Sequence, residues 1–573
     1  MKKQPTTFRS SVLPRFLRST GIAGLLPALV LLLSIQSSHA GSATWLATPA
    51  TGDWNTATNW TPATVPNGPA DTATFASSNQ TGPSITSNTE VNGIVFNAGA
   101  SAFTINATPT RTLTISGVGI TNNSGITQNF VAETTSTGRF SLVGTISFTN
   151  SATAGSLTAF TNNAGTSSGA HGGNILFVNS ATAGSGTFVN KGASSSGAYG
   201  GNIAFDDSAT AGSGTFVNNG GLFEGRGGII AFDTNATAGN GTFTNNGAAG
   251  GTFNGQILFR ETATAGNGTF TNNPGSGESM PGGFTVFEDT STAGNATLIA
   301  NGGLFGAGGA ILFSTSSTGG MARLEVFGTG YLDISGHNAP GVTTGSIQGN
   351  GAVFLGANNL TVGSNNLNTT FSGVTEDHNS TGGSLTKIGR GTLTLSNAST
   401  YTGGTTVSNG TLLVTNTSAS ATGTSAVRVN AGTLGGTGII AGAVTVGTRN
   451  GAGAFLAPGT SATFPGTLTI QNKLNLQVDA IYQFGLNSSN ATADETVANG
   501  VKISSGAQFS FTDHGSGVLT PGTVFTVINN TATTPIAGTF SNLADGSTFT
   551  SGSNTYQVSY EGGDGNDLTL TVQ

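Results

Sequence analysis

From about residue 138 to residue 330 the apolar residues fall in pairs two apart, set in glycine-rich polar stretches of near-constant length. One pair reads I-x-F: Ile146/Phe148, Ile175/Phe177, Ile203/Phe205, Ile230/Phe232, Ile257/Phe259 and Ile311/Phe313, with Thr285/Phe287 an imperfect copy. A second signal reads G-T-F-x-N. Phe160, Phe188, Phe216, Phe243 and Phe270 hold its apolar position, and Leu298 takes that place in the next unit. Two residues on come Asn162, Asn190, Asn218, Asn245 and Asn272. Residues two apart share one face of a strand, so each unit offers two short strands with one apolar face apiece. An A-T-A-G-like tetrad punctuates the units, beginning near Ser151, Ser180, Ser208, Asn235, Thr262 and Thr290, with a degraded copy at Ser316. The steps between copies are 29, 28, 27, 27, 28 and 26 residues.

Two such strands bury too little alone. Stacked in register, they make continuous columns of Phe and Ile, which is the solenoid solution. A propeller blade needs about 40 to 50 residues and four strands, so the period argues against it. About 27 residues fit one turn of a parallel β-helix, with neighbouring coils about 4.8 Å apart. The Asn column has two structural readings: an amide ladder from coil to coil, or a series of left-handed turns.

Past about Gly330 the period loosens while strands continue. The stretch Ser384 to Thr415 carries K-x-G-x-G-T-L-T-L at Lys387 to Leu395, Y-T-G-G-T-T at Tyr401 to Thr406, and N-G-T-L at Asn409 to Leu412. It resembles the autotransporter-associated, or passenger-associated, β-strand repeat, and similar texture runs over roughly residues 380 to 573. The resemblance implies a right-handed parallel β-helix outside the inner membrane, with no catalytic residues attached to the repeat. Autotransporters end in a membrane barrel. The strand candidates from 480 to 573 are too few and too short for one, so the expectation is a passenger without its own translocator.

The amino terminus reads as processing, not fold. Lys2, Lys3, Arg9, Arg15 and Arg18 precede an apolar run from Ile22 to Ile35, and Ser38-His39-Ala40 supplies a cleavage site. That order is a secretory signal, cut after Ala40, and its apolar run is short for a membrane span. No later stretch is apolar enough to span a membrane. The resulting plan is a signal peptide at 1–40, an N-terminal β cap region at 41–137, the repeat array at 138–330, a further β-helix at 331–479 containing the 384–415 repeat, and a C-terminal β segment at 480–573. All three tryptophans, Trp45, Trp54 and Trp60, lie just after the leader. They read as a cap over the first coil, with sugar stacking as the functional alternative.

Composition narrows the function. Charged residues are 7% of the chain and Gly is 91 of 573. The leader takes five of the 17 Lys and Arg, leaving 12 against 24 acidic residues, or about −12. Nucleic acid is therefore a poor partner. With no Cys there is neither a disulfide framework nor a thiolate metal site.

Candidate chemistry is sparse. Asp206, Asp207, Asp233, Glu261, Glu288 and Asp289 follow the I-x-F strands at equivalent places in successive coils, with Arg260 interrupting the row. Asp206, Asp233, Glu261 and Glu288 are Ca²⁺ candidates, because that ion takes carboxylate oxygens; a solvated turn edge is the competing reading. GGDGNDLTL at Gly562 to Leu570 adds Asp564 and Asp567 through a single partial match to a calcium-binding nonapeptide, against a plain terminal β-turn. His171, His337, His378 and His514 are scattered; Glu376-Asp377-His378 and Asp513-His514 are local clusters without a partner at meaningful spacing. The expectation is no metal, no cofactor and no catalytic residue.

The whole reads as an exported structural or adhesive β-helical protein of a Gram-negative-type bacterium, at the cell surface or in the periplasm. Its expected partners are extracellular glycans or other surface proteins. The alternative is a carbohydrate-binding or carbohydrate-active β-helix, which an aromatic or acidic groove on one solenoid face would favour.

Overall fold

Gly, Thr, Ser and Asn weaken helices, whereas β-branched and aromatic residues pack well on a pleated surface. The structure, a computed structural model, describes residues 41–135, 142–250, 253–304, 306–451, 453–460 and 465–573. The leader and its expected cleavage point lie outside the described residues. Apart from the 3-10 turn Ala57–Asn59, every regular element among the described residues is a β-strand.

The strands stack as a parallel β-solenoid. Through the array each coil contributes one strand to each of two sheets. Thr187–Asn190, Thr215–Asn218, Thr242–Asn245 and Thr269–Asn272 pair in parallel with no slip, Phe over Phe and Asn over Asn. The I-x-F strands Asn174–Phe177, Asn202–Phe205, Ile229–Phe232 and Gln256–Phe259 do the same in the other sheet. Coil-on-coil pairing begins before the array, where Gly68–Phe75, Thr89–Phe96, Thr112–Asn122 and Thr145–Phe148 stack in succession.

Two files of rings run through the core of the array. Phe160, Phe188, Phe216, Phe243 and Phe270 lie parallel, with centroids 4.5–4.7 Å apart. Phe148, Phe177, Phe205, Phe232, Phe259, Phe287 and Phe313 form the second file at 4.7–4.9 Å. Between files the rings meet edge to face at 5.5–5.8 Å. Both arrangements suit the ring quadrupole.

The Asn column is an amide ladder. Asn162, Asn190, Asn218 and Asn245 each donate from Nδ2 to Oδ1 of the Asn one coil on, at 2.8–3.1 Å, and all are fully buried. These residues sit in extended strands, so the left-handed alternative does not apply. The ladder stops where Ala132 and Ala300 replace Asn. Thr285, the imperfect I-x-F position, is buried and donates to Asn272 Oδ1 at 3.0 Å.

The tetrad is the turn that closes each coil. Its Thr residues bridge from Thr153 through Thr318, and the tetrad Gly N–H donates to the Thr Oγ1 two residues back at 3.0–3.1 Å. Gly239 shows why Gly is needed there. Its φ is +58°, and a Cβ would sit 2.8 Å from the Gly212 carbonyl oxygen of the coil beneath.

Just beyond the array the coils shorten, and past Val444 they lengthen again, with Val444 opposite Leu474 and Leu474 opposite Val501. Phe216 stands opposite Phe243, 27 residues on, whereas Leu393 stands opposite Leu412, 19 residues on. The long strand Gly341–Gly349 pairs at one end with Asn359–Val362 and at the other with Thr369–Phe371. The carboxyl-terminal strands Thr548–Ser551, Asn554–Gly562 and Asp567–Val572 turn antiparallel, and the last of them pairs with Val524–Asn530. This region thus contains both final parallel coils and an antiparallel closure.

Candidate functional site

The tryptophans pack inward. Trp45, Trp54 and Trp60 are at most 2% exposed and meet edge to face, with Trp60 4.9 Å from Trp54 and 5.0 Å from Trp45. Their Nε1 atoms donate to Gln80, Pro66 and Trp54 carbonyl oxygens. Rings buried this way cover the first Phe layer around Phe75 and have no face left for a sugar.

The acidic edge is two columns, not one. Asp206, Asp233, Arg260 and Glu288 immediately follow the strand Phe; Asp207, Thr234, Glu261 and Asp289 come one residue later, with left-handed backbone at φ +54° to +58°. Arg260 sits in the first column and pairs with Asp233 at 2.7 Å. Burial pushes the Asp233 carboxyl up, opposed by Arg260 and reinforced by Asp206 and Glu261. Glu288 is likewise raised, by burial first, with Arg260 opposing and Asp289 and Asp233 adding to it. In the second column the carboxylates accept backbone N–H groups of the coil before: Asn179 N–H to Asp207 and Glu261 N–H to Asp289, each 3.0 Å. Asp206 accepts the Asp207 N–H and the Thr234 hydroxyl.

The terminal candidates sit on a hairpin. Asp564 is exposed in its turn, and Asp567 is buried with its Oδ1 accepting the Asn530 N–H at 2.8 Å. Among the described residues no three His, Asp or Glu side chains gather as a metal site.

The histidine clusters are engaged locally. His378 packs on Phe354 at 4.3 Å and lies 4.0 Å from Glu376, while Asp377 accepts both the N–H and the hydroxyl of Thr402. Asp513 accepts the N–H groups of Ser488 and Gly515. His337 bonds the carbonyl oxygens of Asn338 and Ser317.

Two features escaped the sequence reading. The first is Lys387, the lysine of the K-x-G-x-G motif. It is 1% exposed, and its Nζ donates to the Ile388, Gly389 and Asn409 carbonyl oxygens at 2.6, 3.0 and 3.3 Å. Asn409 belongs to the next coil, so the ammonium ties two coils together, and burial pushes its pKa down to about 8. The second lies on the loops between the two strands of each array coil. His171 and Tyr199 stack at 4.1 Å with 8° between planes, and the Arg226 guanidinium lies 4.4 Å from the Tyr199 ring and 5.0 Å from Phe253. Burial and the Arg226 charge lower the His171 pKa. The four side chains thus form one surface pile. The available signal was positional: each stands two residues before the Gly that closes its loop, at Gly173, Gly201, Gly228 and Gly255. A second amide row runs at the base of these loops, from Asn301 through Asn273 and Asn246 to Asn219 at 2.9–3.0 Å.

Residues 385–414 match the family described as the passenger-associated-transport-repeat. The chain therefore carries that repeat within a parallel β-solenoid. No curated protein matches the chain. Among solved structures it is similar to the crystal structure of the Haemophilus influenzae Hap adhesin, at 11% identity and a TM-score of 0.24, over 88% of this chain and 64% of that one. The chain thus spans less than two thirds of that structure's length.

Proposed function

We propose that this is an exported, non-catalytic scaffold of the bacterial cell surface, a β-helical passenger whose side chains serve attachment. In this reading the leader at 1–40 is removed on export, and the solenoid from residue 41 holds adhesive surface away from the cell. The observation that carries it is the engagement of the chemistry-bearing residues in stacking. The acidic columns, Lys387, the tryptophans and the Asn ladder all bond or pack coil to coil. The passenger-associated repeat supports the exported setting.

A carbohydrate-binding reading has one observation in its favour, the ring pile of His171, Tyr199 and Phe253 around Arg226 on a single face. It is compatible with the scaffold and would make a glycan the thing attached to. The test is deletion of the gene in the native host. Attachment of cells to surfaces or to one another should fall, and return on complementation. Unchanged attachment with impaired growth on a polysaccharide would replace the scaffold reading with a degradative one.

A further inference from the structure

Arg226 is held in a state that asks for a ligand. Its guanidinium carbon lies 4.4 Å from the Tyr199 ring centroid and 5.0 Å from that of Phe253, and Tyr199 is in turn backed by His171. Rings this close remove part of the hydration of a guanidinium, while its N–H edge keeps its donors for hydrogen bonds. Among the described residues no acceptor takes a hydrogen bond from that edge, and no carboxylate lies within ion-pair distance. Glu224, two residues away, is instead bonded by the Ser196 hydroxyl of the coil beneath at 3.0 Å. A planar fork with free donors is matched by a carboxylate, through two parallel N–H···O contacts.

The surroundings select what bears the carboxylate. Loops 163–173, 191–201, 219–228 and 246–255 carry the cations Lys191 and Arg226 against the single acid Glu224, a net positive patch on a chain of net charge −7. At the base of the same loops the Asn219–Asn246–Asn273–Asn301 row presents uncharged donors and acceptors at every coil. Phe223, 72% exposed, offers an unpaired ring on the Arg226 loop itself. A chain of hydroxyl-rich rings, each bearing a carboxylate, uses all three. We infer that the loop face around Arg226 binds an acidic polysaccharide, with the guanidinium taking one uronate carboxylate and the amide row and Phe223 meeting the sugar hydroxyls and ring. The inference rests on the adhesive reading and names its ligand class.

The probe is polygalacturonate, with its methyl ester as the uncharged counterpart and polyglutamate as a peptide carboxylate, measured against the purified protein by calorimetry. Polygalacturonate should bind, and both Arg226→Gln and esterification of the ligand should weaken binding at least about tenfold. Arg226→Lys keeps the charge without the fork and should fall between, with all variants retaining the parent circular dichroism spectrum. Equal binding by Arg226→Gln, or no binding of polygalacturonate at millimolar concentration, overturns the inference. Polyglutamate bound as tightly as polygalacturonate overturns the choice of a sugar. The Arg226→Gln allele in the host separates this from the attachment reading. Attachment kept by that allele but lost on gene deletion leaves the scaffold standing without this site.

Discussion

Lys387 shows how far a motif can be read from its letters. Its place in K-x-G-x-G-T-L-T-L was plain, but a lysine reads as a solvated side chain, and only the fold brings the Asn409 carbonyl of the next coil onto its ammonium. The consequence is a pH dependence of unusual sign. In the folded chain this group loses its proton near pH 8, against 10.5 for an exposed lysine. Between those values the unfolded chain holds more protons than the folded one, so stability climbs as pH rises through the window. The buried tyrosines Tyr401, Tyr482, Tyr556 and Tyr560, raised by burial, act in the opposite direction near pH 10. The comparison is therefore between proteins: from pH 8 to pH 10 the urea midpoint should shift more upward in the parent than in Lys387→Met. An identical pH slope in both proteins would place the lysine in contact with water. Asn218 makes the complementary point: its column was visible in sequence, while the choice between ladder and turn needed the backbone, which is extended there.

At the scale of one coil, the strands and their inward faces were legible because the period of two and the period near 27 reinforce each other. Phe243 is fully buried between Phe216 and Phe270 at 4.7 and 4.5 Å. Phe243→Asp puts an unpaired charge into that file and should cost several kcal/mol, opening the neighbouring coils to limited proteolysis. Phe223→Asp, at an exposed loop tip, should leave the digestion pattern as it was. If both variants digest like the parent, Phe243 does not point inward. The acidic edge was legible in position and wrong by one residue in register. The pairs Asp206-Asp207, Asp233-Thr234, Arg260-Glu261 and Glu288-Asp289 all follow a strand Phe, so acids from two columns merge when the backbone is unseen. Only the left-handed φ at the second position separates them. The loop pile was not legible because His, Tyr, Arg and Phe share planarity, not identity, and repeat detection follows identity.

Across the whole molecule, carboxylates stacked at coil spacing repel unless something offsets them. The structure supplies the offset internally, through Arg260 against Asp233 and through backbone N–H groups of the preceding coil. Melting curves in Ca²⁺ and in chelator should therefore coincide; a saturable rise in Tm with Ca²⁺ would make these side chains ligands. The in-register stacking has one further consequence. From Phe160 to Phe270 each coil meets the next through the same columns, Phe to Phe, Asn to Asn and Thr to Thr. A segment such as Gly239 to Ala265 can be duplicated or lost in the gene, and the residues on either side still find the partners they had. Each such event lengthens or shortens the rod by one strand spacing, about 4.8 Å. Reach is then a heritable quantity, adjusted in whole steps by unequal recombination, without a single substitution in the core.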